Sequence, residues 1–353
     1  MDKNRSIPFI IISVILISII YLILAAKPLP KEYQFQPQWK INITKEAQAA
    51  EENEKQIYFR LGNALGYFTA DGKITCYKTF PSKASISNNY FTCYGNSAKN
   101  TTFYDYNGSA KGVINYEGLP YIVEDRIYVM LPGGNSFIKC DSDGNRQWKY
   151  EGIMPLTAFS SKKQFTAAGF ADGSIQIFNN ESGQAEIVFA PGGSDLPVIL
   201  GLDISDDGSY IAAVSGHNKQ RFVLAHREEN QPKIIFHTFV DSSGTNQSLV
   251  HFCTDRSRVI YCLKDAIGIY DFKKNRNNFI KIDTKIISIR ESGTLVFLLG
   301  KKGREYKVYI VEKTNTLEGS FSFTAGNAFI QADKNSFYLG KDDSISKISL
   351  ERK

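Results

Sequence analysis

Two kinds of apolar spacing divide the chain. The first is an unbroken run, Ile7 to Ala26 (IPFIIISVILISIIYLILAA), in which Ser13, Ser18 and Tyr21 are the only polar interruptions and no charge occurs. At about 1.5 Å per residue it predicts a single helix that crosses the roughly 30 Å hydrocarbon layer of a membrane. A cleaved signal peptide is the alternative, but the run exceeds the usual apolar core of such peptides, and Leu24, Ala25 and Ala26 make a poor cleavage site. Beyond it the spacing changes to short alternating segments, the period of half-buried strands. A strand, an Asp-Gly or Asn-Gly turn and another strand recur as GYFTADGKITCYKTF, TFYDYNGSAKGVINY and FIKCDSDGNRQWKYE, with turn glycines Gly72, Gly108 and Gly144 at equal intervals of 36 residues. Turns of this kind need positive φ, which Gly and Asn accept.

Looser copies continue around Gly183, Asn230, Asn275 and Asn315 at intervals of 39 to 47 residues. Ahead of each hairpin lies another pair of strands, the second a continuous apolar run such as Ile127 to Leu131, Val259 to Leu263 or Leu295 to Leu299. Continuous runs indicate strands covered on both faces. Four short strands in a period of about 40 residues is the pattern of a β-propeller blade. The copy NSFYLGKDDSISKISLERK ends after its third strand, and QPQWKINI around Trp39 matches RQWKYE around Trp148, a fourth strand. Residues 37–43 are therefore expected to complete the last blade, with Trp39 at the ring closure, which removes an exposed sheet edge. The turns number eight when the virtual one near Glu351 is included. The fold expected is an all-β, eight-bladed β-propeller preceded by a transmembrane α-helix, with Gln48 to Glu52 as the innermost strand of the first blade. Seven blades is the alternative, because KEAQAAEENEK is polar and helix-prone. The domain plan is a tail at 1–6, the membrane helix at 7–26, a tether at 27–36 and the propeller at 37–353.

The segments FIKCDSDGNRQWKYE and FADGSIQIFNNESGQAEIVF resemble quinoprotein-type, or PQQ-like, propeller repeats, and GLDISDDGSYIAAVS resembles the WD40 and YVTN class. The resemblance covers the whole region after the tether. It implies one of two roles: a quinone-cofactor dehydrogenase, or a cofactor-free scaffold of the BamB-like class. Trp39 and Trp148 are the only tryptophans, so the regular tryptophan-docking pattern of the dehydrogenases is absent, and the lipidated cysteine of the BamB type is absent too, since the first cysteine is Cys76.

Composition narrows the choice of chemistry. Forty-two lysines and arginines against 36 aspartates and glutamates leave a net charge of +6, too dilute for a nucleic-acid-binding stripe, so no nucleic-acid partner is expected. Cys76, Cys93, Cys140, Cys253 and Cys262 form no CxxC pair, and buried apolar thiols are the expectation, although Cys253 and Cys262 flank a hairpin. His217, His226, His237 and His251 fall within 35 residues without metal-ligand spacing, and Asp203, Asp206, Asp207 and Gly208 read as a hairpin turn rather than a calcium loop. The sequons at Asn42, Asn100, Asn107, Asn180 and Asn246 are read as chance matches in an Asn-rich chain. No hydrolase, P-loop or dinucleotide motif is present. The expectation is no catalytic residue, no metal and no cofactor.

The function expected is a membrane-anchored, extracytoplasmic, non-enzymatic scaffold that binds protein partners of an envelope assembly, the N-terminus in the cytoplasm and the propeller in a bacterial periplasm. The alternative is a quinone-cofactor or other small-molecule enzyme using the propeller channel. Strand direction also places a face. Trp39 lies on a fourth strand, so the ten-residue tether delivers the chain to the end of the blades where first-to-second and third-to-fourth turns sit. Arg256, Arg258, Lys273, Lys274 and Arg276 are expected to cluster on that end of one blade and to face the membrane.

Overall fold

A computed structural model describes residues 13–21, 33–48, 51, 54–96, 99–217, 219–228, 231–240, 246–313, 315–333 and 336–352. The chain forms two compact units, one of Met1–Phe35 with Leu350–Lys353 and one of Gln36–Ser349. In the first, residues 13–21 are helical, and Val14, Leu16 and Ile17 expose their side chains. Among the described residues no helix is long and apolar enough to cross a membrane. The rest of the expected span, 7–12 and 22–26, lies outside the described residues.

The second unit is built from eight sheets. Strand β1 (Tyr33–Asn42) is followed by blade one, with β2 (Ile57–Leu61), β3 (Ala64–Phe68) and β4 (Ile74–Thr79). Blade two holds β5 (Lys83–Ile86), β6 (Tyr90–Tyr94), β7 (Thr101–Asp105) and β8 (Ala110–Ile114). Blade three holds β9 (Leu119–Val123), β10 (Arg126–Met130), β11 (Phe137–Cys140) and β12 (Arg146–Tyr150). Blade four holds β13 (Leu156–Ser161), β14 (Phe165–Phe170), β15 (Ile175–Asn179) and β16 (Ala185–Phe189). Blade five holds β17 (Ile199–Ile204), β18 (Tyr210–Ser215), β19 (Gln220–Glu228) and β20 (Gln231–Val240). Blade six holds β21 (Val250–Phe252), β22 (Arg258–Cys262), β23 (Ala266–Asp271) and β24 (Arg276–Lys281). Blade seven holds β25 (Lys285–Ser292), β26 (Leu295–Lys302), β27 (Glu305–Glu312) and β28 (Thr316–Thr324). Blade eight takes β29 (Ala328–Asp333), β30 (Ser336–Lys341) and β31 (Ser344–Arg352), and its fourth, outer strand is β1. The propeller is eight-bladed, and the seven-bladed alternative falls away.

The core lies between neighbouring sheets. Second strands are covered on both faces, which is why β18, YIAAVS, is buried at every position after Tyr210. Aromatic rings fill the wedge between blades: Tyr128, Phe137, Trp148, Phe170 and Phe178 form one such cluster, and Phe222 stacks on Tyr261 at 3.8 Å between blades five and six. At the closure, Trp39 lies 5.8 Å from Tyr338 and 6.4 Å from Phe68, and its Nε1 donates to Ala70 O at 3.3 Å.

Blade one corrects the expected innermost strand. Its sheet has three strands, and Gln48 is not beside the channel: its N–H donates to Ile74 O at the start of β4, while Glu51 pairs with Lys73 at 3.1 Å. Residues 49, 50, 52 and 53 lie outside the described residues. The physical reason is in KEAQAAEENEK, whose charged positions leave no alternating apolar face to bury between two blades.

Candidate functional site

The innermost strands line a central channel. Two cavities, of about 810 and 640 Å³, share Tyr121, Val123, Glu124 and Arg290 and are stretches of that channel. Blade one contributes Tyr58 and Arg60, because among the described residues no strand lies inside its β2, which faces the channel. Two observations identify β2 as a second strand. Ile57, Phe68 and Ile74 lie level at the end of the sheet that carries the Gly72 turn. A Cβ on Gly72 would stand 3.2 Å from the Trp39 ring, and one on Gly183, in a third-to-fourth turn, would stand 2.5 Å from Trp148. The two turns are therefore equivalent, which makes β3 and β4 the third and fourth strands and leaves the innermost place open among the described residues. Both turns have positive φ, so glycine serves the backbone and the docked indole together.

Most charges along the channel are compensated within the propeller. Asp203, buried, accepts from Ser160 Oγ at 2.5 Å and from the Phe252 N–H at 2.8 Å, with Lys162 Nζ at 3.7 Å. Burial opposes the charge on Lys162, but Asp203 and Asp206 outweigh it and raise the ammonium's pKa. His251 Nε2 lies 2.6 Å from Glu291, which also pairs with Lys313 at 3.2 Å, and these contacts overcome burial and hold the Glu291 carboxyl below its usual range. Arg126 is buried and bridges Glu124, Asp125 and Ser161. Two cations differ. Arg290 donates to Gln331 Oε1, Ile289 O and Tyr58 OH, and Arg60 donates to Ala84 O, so among the described residues both are held by neutral acceptors. The polar groups of this channel are arranged to orient one another and to attract negative charge.

The five thiols are free, four of them buried, and burial pushes Cys140 and Cys262 up to about 12. Cys253 and Cys262 sit on the same hairpin but out of register, Cys253 level with Arg258. The histidines occupy separate positions, His226 against Tyr210 on β19 and β18, His237 on β20, His251 on β21 and His217 after β18. Among the described residues no group of three or more His, Cys, Asp or Glu is placed to hold a metal ion. Asp206, Asp207 and Gly208 form the β17–β18 turn, closed by the Gly208 N–H to Ser205 O.

The five cations expected to cluster do share one end of blade six, since Arg258, Asp271 and Arg276 are level across β22, β23 and β24. They are not equivalent. Arg258 is largely buried, pairs with Asp271 at 3.2 Å and donates to Asn315 Oδ1 at 2.8 Å, and Arg256 pairs with Asp207 at 2.7 Å. Lys273, Lys274 and Arg276 form no ion pair among the described residues. Sequence reasoning missed Arg60 and Arg290, which nothing in local spacing distinguishes, and it missed that both tryptophans dock on the next blade: Trp148 Nε1 donates to Asn180 O at 2.8 Å as Trp39 does to Ala70 O.

Comparisons with known proteins agree with this architecture. An uncharacterized protein of Treponema pallidum (strain Nichols) is 25% identical over 344 residues, spanning 94% of this chain and 91% of its own length. Among solved structures, BamB from Moraxella catarrhalis is similar with a TM-score of 0.63 at 14% identity, covering 90% of this chain and 100% of that one. The computationally designed Ika8 protein is similar with a TM-score of 0.60 at 11% identity, covering 86% and 99%. At these identities the two structures speak to fold alone. A family model described as beta-propeller protein matches residues 1–352, and with its blades laid out as above the chain belongs to that family.

Proposed function

We propose that this propeller is a non-enzymatic protein-interaction scaffold, tethered to a membrane by the apolar run Ile7 to Ala26 and serving an envelope assembly from the extracytoplasmic side. The observation that carries the reading is the state of the channel. Its described acids are paired within the propeller, Glu124 and Asp125 with Arg126, Asp203 with Lys162, and Glu291 with His251 and Lys313, so these charges brace the channel wall. The likeness in fold to BamB supports it, and the sequence resemblance to that scaffold class points the same way. A cavity of about 810 Å³ is of ligand size, and a quinone or other small-molecule enzyme is the competing reading. Purified full-length chain, examined by absorbance spectroscopy and by cross-linking in envelope preparations, separates the two. A protein cross-linked in stoichiometric yield with no chromophore is the expected result, and a bound quinone would overturn it.

A further inference from the structure

Seven blades have four strands and blade one has three, its innermost place open among the described residues. The Gly62–Asn63 turn makes Leu61 and Ala64 a hydrogen-bonded pair, so Phe59 and Ile57 bond to β3 and the backbone groups of Tyr58 and Arg60 point the other way. Gln331 shows this directly: its Nε2 donates to Tyr58 O at 3.1 Å from the channel side. The Tyr58 N–H and both backbone groups of Arg60 have no partner among the described residues. An unpaired strand edge is a template for a further strand. The cavity of about 810 Å³ runs along it, and Arg60 and Arg290, neither paired with a carboxylate among the described residues, both border that cavity.

We propose that the channel-side edge of β2 takes up an extended, acidic peptide segment of a partner protein as the innermost strand of blade one. This rests on the scaffold reading and names its contact. β2 is five residues long, so the segment is about five residues, roughly 17 Å. Its N–H groups would replace Gln331 on Tyr58 O and meet Arg60 O, and its carboxylates would meet Arg60 and Arg290. Other blades offer no such place, because their innermost strands already cover the second ones.

The test uses the purified full chain and a blocked, fluorescein-labelled six-residue peptide of alternating valine and glutamate, with a valine–lysine peptide of the same length for comparison. Saturable binding of the glutamate peptide is expected. It should weaken at least tenfold in Arg60→Gln, and at least tenfold in Arg60→Pro, which removes one edge donor without touching the β3 ladder. Amide exchange at Tyr58 and Arg60 should slow at least tenfold on binding. The proposal is overturned if the glutamate peptide does not bind, if the lysine peptide binds as well, or if those amides are already protected in the free chain. The Arg60→Gln variant stays informative should the proline variant fail to fold. Failure here is separable from failure of the scaffold reading: a partner still captured equally by the wild type and by Arg60→Gln leaves the scaffold and removes this edge.

Discussion

Trp39 and Gly72 form one unit across the closure, and the unit can be taken apart. Replacing a large aromatic in a packed interface by Ala costs about 3–5 kcal/mol, so Trp39→Ala should lower the melting temperature markedly. Gly72→Ala meets both a positive φ and the indole 3.2 Å away. In a Trp39→Ala background only the backbone cost of Gly72→Ala should remain, and a double-mutant cycle by thermal unfolding measures the difference. Strict additivity would mean that the ring does not press on the turn. At the same scale, Asp255 is subject to burial, which opposes ionisation, and to hydrogen bonds from Lys313 and Ser257 that outweigh it and hold the carboxyl at about 2. Asp207 is likewise held at about 2, burial being outweighed by Ser205, Ser209 and Arg256. A carboxylate depressed in the folded state stabilises above its unfolded pKa, and that contribution fades as pH falls from about 4 to about 2. Asp255→Asn should therefore flatten the acid side of a stability-against-pH curve in that window and leave the slope between pH 6 and 8 unchanged.

Among elements, β1 has the largest expected effect. Gln38 Nε2 donates to Ser349 Oγ at 2.7 Å and the Ile43 N–H to Asp343 O at 2.8 Å, so this strand seals the edge of β31. A chain beginning at Lys45 should unfold at a clearly lower temperature than one beginning at Lys27, with loss of the whole β signal in one transition. Equal midpoints would show that the outer strand of blade eight is dispensable. Blade six offers a second element-scale test. Its turn end carries Lys273, Lys274 and Arg276, which have no ion pair among the described residues, and a basic residue near an anionic surface contributes about 1 kcal/mol. Replacing the three with Gln should weaken binding to phosphatidylserine vesicles at low salt by roughly a hundredfold. Arg256→Gln should change binding little, because that charge is already shared with Asp207. Arg258→Gln should instead cost stability, since it strands Asp271, a carboxylate only 2% exposed.

For the whole molecule, the repeat was legible because its third-to-fourth turns demand positive φ, which leaves Gly or Asn at Gly72, Gly108, Gly144, Gly183, Asn275 and Asn315. The closing strand was legible because QPQWKI repeats RQWKY, and the structure puts Trp39 and Trp148 in equivalent docks. The incomplete first blade was not. An even interval of 36 residues implies four strands wherever three are visible, and whether polar Gln48 enters the channel or lies along β4 is decided by tertiary packing. The neutral partners of Arg290 were hidden for the same reason, as Tyr58 and Gln331 reach it from other blades. Closure by β1 also has a temporal side. Gln38 and Ser349 are 311 positions apart, and translation at about 5–20 residues per second puts roughly 15–60 s between their syntheses. Throughout that interval the first strand of the propeller to emerge has no partner, and every nascent ring is an open sheet at both ends. Closure of the ring thus waits until β31 has been made, and a chain cut short of that strand leaves β1 unpaired.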